Sequence, residues 1–297
     1  MSFKSLFWST SIDFTYRYED DGEIRKTNTN EYEQIKTPEK VISLHFSNCN
    51  FIQNLKIELF PNIKSLVFDN IKFDMLNNVE FIGKCRKLNK LWFKNTNISY
   101  LSKFINSNNI NLEFLLVDNC SKLDLVDIKQ IKTLIELHIN HSMICSLDEI
   151  SDLIELRILN LRNNNLSSLN NIKKLVNLES LNIQYNLIEN VDELSFIPNL
   201  KYLYADNNNI QKLWLLPLIN LKYLEISNNK LESIKILESS PELEVVNIKS
   251  NPIKYLPNLS KITNINYERF QVDWKNIIYI DNMKSFSLIK NMIMNMK

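Results

Sequence analysis

The residues best suited to chemistry in this sequence are two histidines and a nearby cysteine. His138 and His141 form an HxxH pair, and Cys145 follows four residues later. On a strand the two histidines would fall on opposite faces, and a zinc site needs further ligands at matched geometry. No base is placed beside Cys145, so its side chain is expected to be buried apolar filler. We predict that both histidines are polar surface residues and that no metal site forms.

Other catalytic classes are excluded by composition and motif. The 297 residues include only two glycines, Gly22 and Gly83, whereas phosphate loops and dinucleotide fingerprints need several glycines close together. The sequence contains no GxSxG and no HExxH, the motifs of common hydrolases and zinc proteases. We therefore predict a protein that is not an enzyme, has no catalytic residues and needs no cofactor.

The charge balance bears on partners and location. Lys and Arg number 35 against 34 Asp and Glu, a net charge of +1, so no basic field attracts nucleic acid or anionic lipid. No segment has roughly 18 consecutive apolar residues, and the start of the sequence lacks the apolar stretch of a signal peptide. The four cysteines are dispersed, which suits a reducing compartment. We expect an intracellular, cytoplasmic monomer that binds neither nucleic acid directly nor a membrane.

One motif, LxxLxLxxNxL, repeats along most of the chain. Its clearest copies start 21 or 22 residues apart, at Leu156, Leu178, Leu200, Leu221 and Leu243. Five upstream copies start at Val41, Ile63, Leu88, Leu112 and Leu134. We number these ten copies in chain order and the motif positions 1 to 11. Together they cover residues 41–264, and a degenerate eleventh copy is expected near Ile262.

The pattern resembles that of the leucine-rich-repeat family. After each motif an apolar residue recurs at every third position, as at Val191, Leu194 and Ile197, which favours a 3₁₀ turn over an α-helix. This spacing is similar to the short 22-residue class, typified by the regulatory subunit of a type-one protein phosphatase and by a spliceosomal A-prime subunit. The resemblance implies an α/β solenoid of about 10–11 repeats, with a curved parallel sheet on its concave side and short 3₁₀ or irregular turns on its convex side.

The motif itself predicts which side chains are buried. Positions 4 and 6 alternate with position 5 as on a strand, so Leu159 and Leu161 should point inward and Asn160 outward. If successive copies pair in parallel, the position-4 residues of copies 6 to 9 should be fully buried in one sheet. These residues are Leu159, Leu181, Leu203 and Leu224.

Position 9 is expected to bond the backbone of neighbouring coils, because a buried turn needs partners for its peptide groups. Copies 6 to 10 carry asparagine there, namely Asn164, Asn186, Asn208, Asn229 and Asn251. Other copies have Cys49, Thr96, Cys120 and Ser142, and copy 2 departs from the rule with Ile71.

The two ends are expected to cap the solenoid, since its terminal coils would otherwise expose apolar surface. We predict an N-terminal cap over residues 1–40, the solenoid over 41–267 and a C-terminal cap over 268–297. Alternation at Ile12, Phe14 and Tyr16 predicts a strand or hairpin turning near Asp21 and Gly22.

The C-terminal cap is predicted to be helical from the spacing of its apolar residues, Ile277, Ile280, Phe286, Ile289 and Ile293. An amphipathic membrane-surface helix is the alternative, but the lysines of this segment are too sparse for the polar face of such a helix.

The candidate partner site lies on the concave side. We call positions 3, 5, 7 and 8 of the copies the concave columns. These positions should face solvent and carry clusters of aromatic residues. Charged residues of both signs lie between and around the clusters, including Glu136, Asp206 and Lys222. Exposed aromatics in a polar surround are typical anchors of protein interfaces. The predicted partner-binding residues are Trp92, Phe114, Leu116, His138, Arg162, Tyr185, Tyr202, Tyr204, Tyr223 and Glu225.

These observations predict a non-catalytic scaffold or adaptor that binds one or more proteins through its concave face. Two alternatives stay open at this point: the substrate-recognition arm of a ubiquitin-ligase-type complex, and a component of a ribonucleoprotein that contacts RNA through a partner. A purely structural interpretation of the aromatics is cross-strand packing on the sheet surface.

Overall fold

The computed structural model describes residues 14–18, 24–27, 38–48, 57–73, 80–102, 111–213, 218–258, 262, 264, 266 and 269–280. The chain divides into two compact units, Met1–Asp124 and Leu125–Lys297. Each unit is described by itself.

The described part of unit 1 is built on one sheet. Its strands are β1 (Phe14–Tyr18), β2 (Ile24–Thr27), β3 (Val41–Ser47), β4 (Ser65–Asp69), β5 (Lys90–Lys94) and β6 (Phe114–Asp118). Their order in the sheet is β2-β1-β3-β4-β5-β6. Strands β3 to β6 run parallel and one copy apart, in the register Leu44–Leu66–Leu91–Leu115. Strands β1 and β2 form a hairpin, and β1 also pairs antiparallel with β3.

The hairpin lies where the alternating N-terminal residues predict it. Ile12, Asp21 and Gly22 lie outside the described residues, and the boundary of this cap at residue 40 stays a prediction.

Phenylalanine fills position 6 of the first three copies in unit 1. Phe46, Phe68 and Phe93 are fully buried, and neighbouring rings stack with centroids 5.4 and 5.5 Å apart. Phe73 packs edge-on against two of these rings at 5.4 and 5.7 Å. Because each ring belongs to a different copy, this stack joins coils that are distant in sequence.

Unit 2 has a parallel sheet in which each copy contributes one strand beside the next. Its described strands are β7 (Glu136–Asn140), β8 (Ile158–Asn160), β9 (Ser180–Asn182), β10 (Tyr202–Tyr204), β11 (Tyr223–Glu225), β12 (Val245–Asn247) and β14 (Phe270–Gln271). A separate parallel pair consists of β13 (Tyr255–Leu256) and β15 (Tyr279–Ile280).

The predicted leucine column of unit 2 is confirmed. Leu159 pairs in register with Leu181, which pairs in turn with Leu203, and Leu203 pairs with Leu224. These four side chains are at most 1% exposed.

Short 3₁₀ helices connect the strands, as the every-third apolar spacing predicts. All described helices are 3₁₀ helices of three to five residues, and no helix in the described part could span a membrane. In unit 1 they are Pro38–Lys40, Ile57–Leu59 and Glu80–Lys84. In unit 2 they are Ile128–Gln130, Ile172–Lys174, Asp192–Phe196, Lys235–Ser239 and Trp274–Asn276.

The asparagine ladder at position 9 is also confirmed. The Asn186 carbonyl accepts a hydrogen bond from the backbone N–H of Leu166 at 3.0 Å, and its amide donates to the carbonyls of Leu161 and Ile183 at 2.9 and 3.0 Å. The same bonding to backbone recurs at the other ladder positions, and all five asparagines are buried, namely Asn164, Asn186, Asn208, Asn229 and Asn251.

Unit 1 meets the same need with other residues. Thr96 at position 9 lies 3.2 Å from the Cys120 sulfur, and that sulfur contacts the carbonyl of Phe93 at 3.8 Å. The backbone N–H of Phe73, which has no position-9 asparagine opposite it, donates to the side chain of Asn97 at 2.6 Å. An asparagine at position 10 therefore does in copy 3 what position 9 does in unit 2. Cys49 lies outside the described residues.

Position 8 has a backbone requirement that the sequence pattern did not reveal. In all ten copies this residue adopts the left-handed conformation, with φ between 49° and 58°. Asparagine tolerates this region better than other non-glycine residues, and it occupies position 8 in seven copies. The exceptions are His141, Tyr185 and Ser250.

The C-terminal segment corrects two expectations. Phe270 pairs with Val246, a position-4 residue, so counting back from Phe270 starts the eleventh copy at residue 267 and not at Ile262. The predicted capping helix is not found in its described part, residues 269–280, which forms two strands and a 3₁₀ turn. Phe270 and Val272 are buried at positions 4 and 6, which is the alternation of a strand. A helix beyond residue 280 stays a prediction. Phe286, Ile289 and Ile293 lie outside the described residues.

Candidate functional site

In unit 1 the concave columns carry one pair of aromatic rings. Trp92 on β5 and Phe114 on β6 are half-buried, and their ring centroids lie 4.8 Å apart with a 43° tilt. Leu116, which is in register with Trp92, is only 4% exposed. The prediction that Leu116 is an exposed contact residue is therefore wrong, because a leucine beside so large a ring on the adjacent strand does not reach beyond it.

In unit 2 three tyrosines occupy adjacent strands of the concave columns. Tyr202 and Tyr223 are in register, with ring centroids 5.4 Å apart. Tyr204 lies two residues along β10, in register with Glu225 on β11. All four side chains are half-buried, so the structure brings these predicted residues together as one patch, which we call the tyrosine patch.

The fourth predicted tyrosine of unit 2 lies at a turn beside this patch. Tyr185 is 44% exposed and holds the left-handed backbone conformation, at a position where most copies have asparagine. The guanidinium of Arg162 lies 4.8 Å from the centre of its ring. A bulky residue in this conformation costs free energy that asparagine would largely avoid, so the choice of tyrosine points to a role outside folding.

His138 is corrected by the structure. Its side chain is only 7% exposed, and Nε2 hydrogen-bonds to the Glu136 carboxylate at 2.7 Å. The prediction of a surface histidine holds for His141, which is exposed and hydrogen-bonds to the Asn163 amide. The Glu136 carboxylate, two residues earlier on the same strand, explains the difference, because it gives the buried His138 imidazole a polar partner.

The charges predicted to surround the clusters are mostly bound within the protein. A row at position 2 pairs Lys201 with Glu179 at 2.7 Å and Lys222 with Glu244 at 3.5 Å. Asp206 is buried, and it accepts hydrogen bonds from the backbone N–H and the hydroxyl of Ser227, both at 2.7 Å, and from the Gln184 amide.

Glu225 differs from these acidic residues. Among the described residues its carboxylate has neither an ion pair nor a hydrogen bond. Burial, and then the nearby charge of Asp206, raise the pKa of Glu225 above its ordinary value. Burial, followed by the charge of Glu225, raises the pKa of Tyr204 to about 12. The tyrosine patch therefore contains a carboxylate in an unfavourable environment and without an ion pair among the described residues.

This raised pKa predicts a pH-dependent gain in stability for the Glu225→Gln variant. A carboxyl whose pKa is higher in the folded state loses stabilising free energy as the pH rises through its unfolded and then its folded pKa. We expect the variant to be more stable than the wild type at pH 7. The gain should disappear below the ordinary glutamate value of 4.5.

Urea unfolding of both proteins at pH 7 and pH 3.5 measures this difference. Glu155→Gln, at an exposed turn residue, is the matched control and should leave stability unchanged at either pH. A Glu225→Gln variant less stable than the wild type at pH 7 would show that the carboxylate is stabilised in the folded protein.

One residue of the patch was missed by the sequence argument. Arg269 donates a hydrogen bond from Nη1 to the Tyr223 hydroxyl at 2.8 Å across 46 residues. Arg269 lies directly before β14, the strand of the eleventh copy. Only the corrected start of that copy predicts that Arg269 lies near copy 9.

The structure also places the cysteines and tests for metal ligands. Burial, with a smaller contribution from Glu58, raises the pKa of Cys85 to about 12, and burial likewise raises the pKa of Cys120. Cys145 is exposed, so the expectation that it is buried filler is wrong. Over the described ranges, no three His, Cys, Asp or Glu side chains form a group that could hold a metal ion.

Comparison with known proteins points to one class. A family model for leucine-rich repeats, in two copies, matches residues 219–261. No curated protein matches the sequence at a significant level.

Solved structures resemble the chain over most of its length. An internalin (InlF) from Listeria monocytogenes is 16% identical, with 88% of this chain and 90% of that chain covered and a TM-score of 0.55. The functional domain of InlJ from the same bacterium is 20% identical, with 82% and 54% covered and a TM-score of 0.60. A leucine-rich-repeat protein from Leptospira interrogans is 18% identical, with 86% and 81% covered and a TM-score of 0.57.

The fold is therefore that of a leucine-rich-repeat solenoid. The matched family model and the structural neighbours support the leucine-rich-repeat family for this chain. At these identities the neighbours carry the fold and not a function, so the site must be argued from its own residues.

Proposed function

We propose that the protein is a non-catalytic scaffold that binds one or more proteins through its concave columns. Solenoids of this kind offer an extended sheet face as a binding surface. The observation that carries the proposal is the tyrosine patch with its neighbour Tyr185. Tyrosine and arginine are the side chains that most often dominate binding energy at protein interfaces.

The placement of Tyr185 adds independent support. Asparagine would fit its left-handed backbone better, and the Arg162 guanidinium over the ring holds the side chain in place at the surface. Tyr185 is therefore less favourable for folding than the asparagines of the neighbouring copies. A residue kept at such a cost supports a binding role.

The test is loss of a protein recovered by pull-down and mass spectrometry from the native cell. We expect Tyr202→Ala combined with Tyr204→Ser to lower the affinity for that partner by about thirtyfold or more. Truncating an interface anchor costs about 2 kcal/mol or more of binding free energy. Since both rings are half-buried, this variant should also lose some stability, so its folding must be checked by circular dichroism.

Tyr185→Asn is the sharper variant, because it repeats the residue of the neighbouring copies. Relief of backbone strain should offset the lost contact with Arg162, so that stability changes by no more than about 0.5 kcal/mol while binding weakens. Tyr255→Ala is the matched control, at a tyrosine that is 54% exposed and outside the concave columns. Partner loss in the control but not in the other variants would overturn the proposal.

Unit 1 is tested in the same way. Trp92→Ala should lower the affinity for a partner that binds the rings of Trp92 and Phe114. Its control is Tyr100→Ala, at an exposed tyrosine outside the concave columns. A charge reversal on the convex side, Lys173→Glu, is unsuitable as a control, because Lys173 lies 3.4 Å from Glu193 and the reversal would place two like charges together.

We assign the repeats to the short 22-residue class, supported by starts 21 or 22 residues apart in copies 6 to 10 and by the 3₁₀ connections. We also propose that the protein acts as a monomer in the cytoplasm. The dispersed cysteines of the sequence support the intracellular location, because they suit a reducing compartment.

A further inference from the structure

The tyrosine patch contains a carboxylate, Glu225, that has no ion pair among the described residues, and the Arg269 guanidinium of the patch is hydrogen-bonded to the Tyr223 hydroxyl instead. Glu225 projects from position 5 of β11, between Tyr204 on one neighbouring strand and Asn247 on the other. Adjacent strands lie about 4.8 Å apart, so the residues flanking this carboxylate are a phenol and an amide. Neither can supply a positive charge.

The neighbouring acidic residues show how the fold treats a carboxylate that it uses itself. Glu179 is paired with Lys201, and Glu244 with Lys222. Asp206 accepts three hydrogen bonds from Ser227 and Gln184. Glu225 is instead left half-buried beside the charge of Asp206, which is an unfavourable environment for a carboxylate.

The rings around Glu225 favour an organic cation. Tyr202 and Tyr223 lie side by side, and Tyr204 is in register with Glu225 on the next strand, so three aromatic rings and one carboxylate share two adjacent strands. Aromatic faces attract ammonium and guanidinium groups, and most strongly where water is partly excluded. The Arg162 guanidinium on Tyr185 is an example of this contact within the same unit.

A metal ion fits this site less well. Calcium and magnesium take several oxygen ligands, but Asp206 spends both of its carboxylate oxygens on internal hydrogen bonds. Among the described residues of this site, only the Glu225 carboxylate remains available to a ligand, and a single carboxylate balances the charge of one ammonium or guanidinium group.

We propose that the tyrosine patch is a specificity site for a lysine or arginine side chain of the protein partner, with Glu225 as its counter-ion and Tyr202, Tyr204 and Tyr223 as the surrounding rings. This rests on the proposed function and deepens it, because it names the chemical group that the partner must present. Binding would replace water at Glu225 by a cation and remove the unfavourable charge from the patch.

The experiment uses the full chain and peptides of known sequence. Random 12-residue peptides are displayed, selected on the wild-type protein and kept if Tyr204→Ala abolishes their binding. The selected peptides are then synthesised with each lysine or arginine unchanged or replaced by its neutral counterpart, Nε-acetyl-lysine or citrulline. Their dissociation constants are measured on the wild type, on Glu225→Gln and on the control Glu155→Gln.

We expect every selected peptide to contain a basic residue whose neutralisation weakens binding to the wild type by about tenfold or more. Glu225→Gln should weaken the unmodified peptide by a similar factor, and Glu155→Gln should not. On Glu225→Gln the neutral peptide should bind no worse than the charged one, because the two changes remove the same interaction.

Two results would overturn the proposal, and they are distinguishable. Peptides that need Tyr204 but lack a basic residue, or that bind Glu225→Gln within twofold of the wild type, would refute the cation site and leave the concave-column function intact. A selection in which no binder depends on Tyr204 would refute the use of the patch altogether, and the cation site with it.

Discussion

Replacing Phe68 by alanine is expected to lower the free energy of unfolding by about 3–5 kcal/mol. The ring is fully buried between Phe46 and Phe93 and is covered on its edge by Phe73. Its removal leaves a cavity flanked by rings from three turns of the chain, which cannot close without moving whole coils. The loss therefore includes both transfer free energy and a cavity cost.

Urea unfolding followed by circular dichroism measures this effect, since the repeat backbone dominates the signal. The matched control is Phe196→Ala, at a ring that is 60% exposed and has the Lys173 ammonium 5.9 Å from its centre. It should cost no more than about 1 kcal/mol. Equal losses in the two variants would contradict the role of the phenylalanine stack.

Replacing Asn186 by leucine is expected to cost about 2–6 kcal/mol although the two side chains have similar volumes. The change leaves the N–H of Leu166 without its acceptor inside a buried turn, which costs about 1–3 kcal/mol. The carbonyls of Leu161 and Ile183 each lose one donor but keep another, from Asn164 and Asn208. Their contribution is smaller, at about 0.5–1.5 kcal/mol apiece.

The control for this change is Asn165→Leu, one residue beyond the ladder in copy 6, where the side chain is exposed. It should shift stability by no more than about 0.5 kcal/mol. Hydrogen exchange at the Leu166 amide gives a local measurement, because that amide should lose protection only in Asn186→Leu. Wild-type stability and protection in that variant would show that the ladder is dispensable.

The inward face of the repeat could be predicted because it depends on period alone. Leu159, Leu181, Leu203 and Leu224 recur at one motif position, and a strand must place that position on one side of the sheet. The same holds for the position-9 asparagines, whose partners are backbone groups that every coil supplies. Neither inference requires knowing which residue lies on the next strand.

The outward face could not be predicted in this way. Whether a concave-column residue is exposed depends on the size and bonding of the side chains around it. Leu116 is buried beside Trp92 on the adjacent strand, and His138 is buried with a hydrogen bond to Glu136, two residues earlier on its own strand. The repeat period predicted that both side chains are exposed. The period specifies the direction in which a side chain points, but not how large its neighbours are. The position-8 asparagines were likewise taken as surface residues, although a left-handed backbone accounts for them.

The sequence by itself determined the leucine-rich-repeat fold, the buried columns, the asparagine ladder and the region in which a partner site should be sought. Only the tertiary structure decided which charges are neutralised within the protein. Lys201 and Glu179 form an ion pair, whereas Glu225 lies beside the tyrosines with no ion pair among the described residues, and Arg269 bonds to the Tyr223 hydroxyl instead. The physical reason is that burial follows from a local period, while electrostatic pairing depends on distances between side chains of different coils, which the period does not contain.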